Sequence, residues 1–211
     1  MKKLNLSLLS LILIVFVAFT SCKSNKPVEE EVVVEEVVEE GISGTFDINT
    51  ETSKLEWLGK KVTGEHYGTI NFQGGNFTLE HNQVVGGVAT VDMTSIVVSD
   101  LTDAEMNAKL TGHLNSEDFF NTANFPTATL EFTQGATANE LIGKLTIKDI
   151  TQDVVINANL ADVEGQPTIT GTMTVDRTLY DIKYGSGKFF DNLGDKAIND
   201  EFKLSFTVVS K

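Results

Sequence analysis

From Thr127 to the end of the chain, apolar side chains fall on every second position in one segment after another, and that period leaves few folds open. Ala128, Leu130 and Phe132 alternate with Thr127, Thr129, Glu131 and Thr133. Leu141, Gly143, Leu145 and Ile147 alternate with Ile142, Lys144, Thr146 and Lys148. Val154, Ile156, Ala158 and Leu160 repeat the pattern, as do Ile169, Gly171, Met173 and Val175, and then Phe202, Leu204, Phe206 and Val208. A period of two means a strand with one buried and one wet face. Lys148-Asp149-Ile150-Thr151 and Glu164-Gly165-Gln166-Pro167 fall between strands and read as turns.

The first half of the domain is also β. Phe46 and Ile48 alternate, as do Leu55 and Trp57 against Lys54 and Glu56. Ile70 and Phe72 lead into Gln73-Gly74-Gly75-Asn76, which predicts a hairpin turn with Phe77 and Leu79 on the returning strand. Gln83 to Met93 reads as a longer strand in which Gly86 and Gly87 predict a bulge or sharp bend. The total is about eight strands, mostly joined by short turns. Each strand must bury one face and protect its edges, and an antiparallel barrel does both. The fold class expected is therefore all-β, an eight-stranded antiparallel barrel with one or two short helices, and a sandwich is the second choice. A barrel of this size either fills its interior with side chains or leaves room for one ligand. Small inward residues such as Ala128, Gly143, Ala158 and Gly171 suit either outcome.

One stretch breaks the β pattern. Asp100 to Leu110 predicts a helix capped by Asp100 or Thr102, with Asp103 and Glu105 early and Lys109 late. In Thr111 to Phe132, Ser116 is the expected cap of a further helical turn that carries Glu117, Asp118, Phe119 and Phe120. Pro126 then argues against helix at Phe125. An aromatic turn set against a strand start reads as a plug at one end of the β structure, or as the mouth of an apolar pocket.

The ends of the chain bear on location. Lys2 and Lys3 precede an apolar run, Leu4 to Phe19, which closes on Thr20-Ser21 and the only cysteine, Cys22. Residues 1–21 read as a secretory signal, and their form resembles a bacterial lipoprotein signal in which Cys22 is acylated and becomes the new N-terminus. Residues 22–44 form an acidic, Glu/Val-rich tether, and residues 45–211 form the barrel domain. A lone thiol makes no intramolecular disulfide. The whole chain carries a net charge of −14, and loss of Lys2 and Lys3 makes the mature form more acidic still. With no basic cluster, nucleic acid is not an expected partner. Membrane attachment would rest on the lipid rather than on charge.

The residues suited to chemistry are few. His66, His81 and His113 lie far apart and make no recognisable metal set, so no metal or cofactor is expected. There is no Gly-x-Ser-x-Gly, and the carboxylates suggest no acid–base pair. Gly185-Ser186-Gly187 lacks the context of a phosphate loop. Arg177, the only arginine, follows an inward-alternating strand beside Asp176. It reads as a structural ion pair or as the holder of a polar head group.

Several motifs also line up in order. They are Phe46-Asp47, Ser53-Lys54-Leu55-Glu56-Trp57, Gly64-Glu65-His66-Tyr67-Gly68-Thr69-Ile70, His113-Leu114 with Asp118-Phe119-Phe120 and Phe125-Pro126, and Gly143-Lys144-Leu145-Thr146-Ile147. Asp176-Arg177, Tyr184-Gly185-Ser186, Asp195, Ile198 and Asp200-Glu201 complete the series. The series resembles the YceI-like family of bacterial envelope proteins, over roughly Thr45 to Lys211. Thr52 stands where many members have His, and Asp149 where many have Gly. The resemblance implies a lipocalin-like barrel that holds a polyisoprenoid, quinone or similar amphiphile, and no enzyme. The ligand-binding residues expected are Trp57, His66, Phe72, His113, Leu114, Phe119, Phe120, Phe132, Leu145, Arg177 and Phe206. The resulting expectation is a lipid-anchored, envelope lipid-binding protein that carries, stores or senses its cargo. A homodimer is expected if the Gln83–Met93 strand, or another barrel edge, is exposed. Two alternatives stand beside it: an adhesive lipoprotein with a filled barrel, using loops 107–124 and 184–200, and a lipid-modifying enzyme using His66, His113, Asp118 and Arg177.

Overall fold

The computed structural model describes residues 41–211; the expected signal peptide, Cys22 and most of the tether lie outside the described residues. Nine strands and one helix follow in order: β1 (Gly44–Asp47), β2 (Lys54–Lys61), β3 (Gly64–Glu80), β4 (Gln83–Val98), α1 (Ala104–Asn115), β5 (Thr127–Gln134), β6 (Glu140–Ile147), β7 (Ile150–Val163), β8 (Gln166–Asp176) and β9 (Ile198–Val209). From β3 the neighbours run β2, β9, β8, β7, β6, β5 and β4, and β4 pairs back onto β3. The result is a closed, eight-stranded antiparallel barrel with one helix, a lipocalin-like all-β fold. Short β1 completes the wall where β2 stops. It pairs with the far half of β3, Phe46 opposite Phe77, while Ile48 bridges Ser210 just past β9. Every described strand needed to close the wall therefore lies within residues 41–211, together with the core it encloses.

The alternating residues face inward as the period of two requires. Ala128, Leu141, Leu145, Ile147, Ile156, Ile169, Met173, Val175, Leu204 and Val208 are buried, and Lys144, Asn157, Asn159, Thr170, Thr172, Thr174 and Lys203 beside them are exposed. The turns are two-residue hairpins with left-handed backbone. Lys148 and Asp149 have φ of 52° and 59°, and Glu164 and Gly165 have 55° and 83°. Asp149 thus occupies a conformation that Asp tolerates.

Four local expectations are overturned. Gln73 to Asn76 is not a hairpin: β3 runs straight through it, and the turn falls at His81 and Asn82, with φ of 48° and 63°. The glycines serve close approach instead. Gly75 has φ of 140°, and a Cβ there would collide with the Val88 carbonyl oxygen. Register shifts at this point let β3 bend as it changes partner from β2 to β1. The bulge expected at Gly86-Gly87 is present, because Thr78 faces Gly86 while Leu79 faces Val84, leaving Val85 as the extra residue.

The helix is also displaced. It is capped by Asp103, whose side chain accepts the Met106 N–H at 2.9 Å, and it continues past Leu110 to Asn115. Asp100 is occupied elsewhere. Ser116 ends this helix rather than starting another: its N–H and hydroxyl both meet the His113 carbonyl, at 3.1 and 2.7 Å. A hydroxyl that donates to a late carbonyl serves a C-terminus, where carbonyls rather than N–H groups lack partners. Finally, β4 is paired on both sides, by β3 and β5, and offers no free edge to a second copy.

The barrel has two unlike ends. One carries the short turns 81–82, 135–139 and 164–165, and the chain enters there, with Ile42 and Asn82 hydrogen-bonded in both directions. The other carries the 62–63 and 148–149 turns and both long connections, 99–126 and 177–197.

Candidate ligand-binding cavity

The inward faces do not fill the barrel. A cavity of about 100 Å³, the space open to the centre of a water molecule, is lined by apolar side chains with Thr129 as the single polar residue. That is several times the room one water needs, about 10–15 Å³, and the lining offers that water almost no partner. Its walls include Leu141, Leu145 and Ile147 of β6, the first and last of them six residue steps and so about 20 Å apart along the strand. The space is therefore long and narrow.

A second cavity of about 70 Å³ lies toward the long-loop end. Trp57, Leu114, Phe119 and Arg177 wall it, and the exposed Asn199 and Glu201 rim it. Trp57 lies across Gly68, its cross-strand partner, where any Cβ would press on the indole, and it donates to the Val97 carbonyl at 3.2 Å. Ile70, Phe120, Phe202 and Leu204 line both cavities. Phe120 and Phe202 meet edge to face at 6.4 Å and form the partition between them.

The aromatic turn supplies that partition. After Ser116 the chain folds back on the helix end, with the Phe120 N–H on the Leu114 carbonyl and the Thr122 N–H on the Asn115 carbonyl. Asn121 takes the left-handed conformation at φ 49°. Phe119 and Phe120 are thereby driven inward and buried. A line of ring contacts links surface to interior. Half-exposed Tyr184 meets His113 at 4.4 Å, His113 meets Phe119 at 5.5 Å, and Phe119 meets Phe120 at 5.1 Å.

Arg177 holds this end together. It is buried, and its guanidinium donates to the carbonyls of Asn199, Ile182 and Ile198 at 3.0, 2.8 and 3.1 Å. Asp200 lies 3.7 Å away, and the Phe119 ring lies 5.7 Å from the guanidinium carbon. Burial lowers its pKa, Asp200 and Asp176 oppose the shift, and an arginine keeps its charge throughout. Asp176 caps the following turn through the Thr178 N–H and holds Lys188 at 2.7 Å. Burial raises the pKa of Asp176, but Lys188 and Thr178 outweigh it and hold the carboxyl below the usual range.

The expected site residues fall into three groups. Phe72, Phe132, Leu145 and Phe206 line the long cavity, and Trp57, Leu114, Phe119 and Arg177 line the second, with Phe120 common to both. His66 and His113 line neither. His66 Nδ1 meets Asp100 at 2.7 Å, and Asp100 also accepts the Tyr67 N–H. Burial raises the Asp100 pKa, yet the bonds from His66 and Tyr67 hold it below its ordinary value. His113 meets Phe119 and Tyr184 edge to face, its Nε2 is buried with no hydrogen-bond partner among the described residues, and burial pushes its pKa below 6.5 against the pull of Asp118. His81 is exposed at its turn. Sequence reasoning passed over Met93, Leu130, Ile147, Ile169 and Met173 as lining residues, although their place in the alternation marked them as inward. It also missed Tyr180 and Ile182, buried in the loop after β8, where no periodicity operates.

A lipocalin-like barrel with an elongated apolar interior defines a class, and comparison with known proteins places the chain within it. The model of the YceI-like domain matches residues 46–210. The chain belongs to the YceI-like domain family. A UPF0312 protein of Staphylococcus aureus (strain N315) is 30% identical over 107 residues, 47% of this chain and 61% of that protein. The chain thus spans 61% of the length of the curated relatives it matches. Among solved structures, BcnA of Burkholderia cenocepacia superposes with a TM-score of 0.62 at 22% identity, over 78% of this chain and 99% of that one. A polyisoprenoid binding domain from Saccharophagus degradans gives 0.55 at 12% identity, over 79% and 97%. At these identities the superpositions establish the shared fold.

Proposed function

We propose that the barrel binds one long apolar ligand, a polyisoprenoid, quinone or similar amphiphile, for carriage, storage or sensing in a bacterial envelope. The observation that carries this reading is the long cavity whose lining is apolar but for Thr129. Dry walls supply most of the affinity for such a ligand, and few polar groups are needed. The second cavity, where Arg177 and Asn199 stand among aromatic rings, suits the polar head. Trp57, Leu114, Phe119, Phe120 and Arg177 would meet that end, and Phe72, Phe132, Leu145 and Phe206 the chain. The Saccharophagus degradans neighbour, a polyisoprenoid binding domain, supports the ligand class. The binding reading is preferred to an enzyme because the candidate polar residues diverge: His66 is committed to Asp100, and His113 lies among rings. Cys22 after its apolar run supports a lipid anchor, with residues 22–44 as tether.

Native mass spectrometry of residues 41–211, exported during expression and purified without detergent, tests the reading. A bound mass in the range of a long isoprenoid, lost on organic extraction, is the expected result. A bare mass that stays bare after incubation with quinones and polyprenyl lipids refutes it.

A further inference from the structure

The large apolar side chains that remain at the surface are not scattered. Of the eleven exposed large hydrophobics among the described residues, eight lie at the long-loop end, Val62, Met106, Leu179, Tyr184, Phe189 and Phe190 among them. The other three lie on β6 and β7. Phe189 and Phe190 are adjacent, about half exposed, and held by a buried feature: both their N–H groups bond the carbonyl of Ser186, which is fully buried. Ordered backbone thus presents two phenyl rings to solvent at a cost that folding alone does not explain.

Three observations say what covers them. First, Tyr184 of the same loop begins the line of rings that runs through His113, Phe119 and Phe120 to the cavity wall, so the patch is continuous with the cavity end. Second, the lysines beside the rings are already neutralised. Lys183 pairs with Asp181 at 2.5 Å while lying 5.4 Å from the centre of the Phe189 ring, and Lys188 pairs with Asp176 and Asp200. Aromatic rings flanked by long amphipathic side chains suit the interface of a bilayer. Compensated lysines on a chain of net charge −14 do not suit anionic lipid. Third, the residues from Cys22 to Glu40 can span at most about 60 Å, comparable to the length of the 17-residue strand β3 at about 3.3 Å per residue. The described chain starts at the opposite end, and a tether of that reach, if Cys22 carries the lipid proposed above, is long enough for the long-loop end to reach the same membrane.

We propose that the long-loop end docks on a neutral, zwitterionic bilayer by inserting Phe189 and Phe190, bringing the cavity end against the membrane where an apolar ligand resides. The purpose rests on the ligand-binding reading, but the test does not. Residues 41–211 are floated with phosphatidylcholine vesicles, with no ligand added. The wild-type domain is expected to float, and the Phe189→Ser/Phe190→Ser variant to partition at least about tenfold less, as loss of two inserted rings requires. An Ile142→Ser/Val155→Ser variant, altered on the barrel side, is expected to float as wild type. Phe190→Trp keeps an interfacial ring, so it is expected to float and to show a blue-shifted indole signal on vesicle addition even if the serine variant folds poorly. Failure of the wild-type domain to float overturns the proposal. So does unchanged flotation of the serine variant, flotation that requires anionic lipid, or a crosslink from position 190 to a protein with no vesicle binding. A domain that floats but never carries a ligand would refute the cavity reading and leave this one standing.

Discussion

Replacing Arg177 by Met tests whether the long-loop end is fastened by one side chain. Arg177 donates to three backbone carbonyls drawn from two segments, the turn after β8 and the start of β9. Hydrogen bonds from a charged donor contribute about 1.5–3 kcal/mol each, not additively. Met fills most of the space but donates nothing, which leaves those carbonyls without their donor and Asp200 with Lys188 as its remaining cation. The loss expected for breaking a buried ion pair on one side is about 3–5 kcal/mol. For a domain of this size each kcal/mol lowers Tm by about 2–4 °C, so the melting midpoint should fall by roughly 6–20 °C. Thermal and urea melts of residues 41–211 followed by circular dichroism measure it. Arg177→Lys should recover little, because one ammonium cannot reach all three carbonyls. A loss below about 1 kcal/mol for Arg177→Met would show that the carbonyls find other partners and that the keystone argument is wrong.

Three further outcomes follow from the same geometry. Ala128→Phe projects a ring into the long cavity, and at an overpacking cost of about 1–3 kcal/mol it should abolish co-purified ligand in native mass spectra while the domain still melts cooperatively; undiminished ligand would place the binding elsewhere. His113 is held below its ordinary pKa of 6.5 by burial, so the unfolded chain takes up a proton first and stability is lost as pH falls through and below 6.5; urea melts of His113→Phe against wild type should show a shallower slope over that range, and parallel slopes would refute the assignment. Burial raises the Tyr180 phenol from 10.0 to about 12, so wild-type stability should fall by up to about 3 kcal/mol as pH rises from 10 to 12. Tyr180→Phe removes a buried hydroxyl that has no hydrogen-bond partner among the described residues, so it should leave neutral-pH stability unchanged or higher and flatten the alkaline loss; a marked loss at neutral pH would show that the hydroxyl is satisfied.

What the sequence settled by itself is local and periodic. Which residues of β5 to β9 face inward follows from a period that each strand imposes on its own side chains. Burying one apolar face per strand then required a closed or layered sheet. The hairpins at Lys148-Asp149 and Glu164-Gly165 were legible for the same reason, because turn residues act over two or three positions. What only the tertiary structure decided depends on partners distant in the chain. Gly74-Gly75 has the local chemistry of a turn, yet β3 continues through it, because β1 and β4 pass there and only glycine lets the Val88 carbonyl approach. Asp100 looked like a helix cap until His66 and Tyr67 claimed it across the β3–β4 seam. Ser116 could cap either end of a helix, and where α1 stopped fixed which. Whether the inward residues fill the barrel or leave a cavity was likewise outside the reach of periodicity. Period fixes the side of the wall, while the distance to the opposite wall is set by strand number and closure, which exist only once every strand has paired.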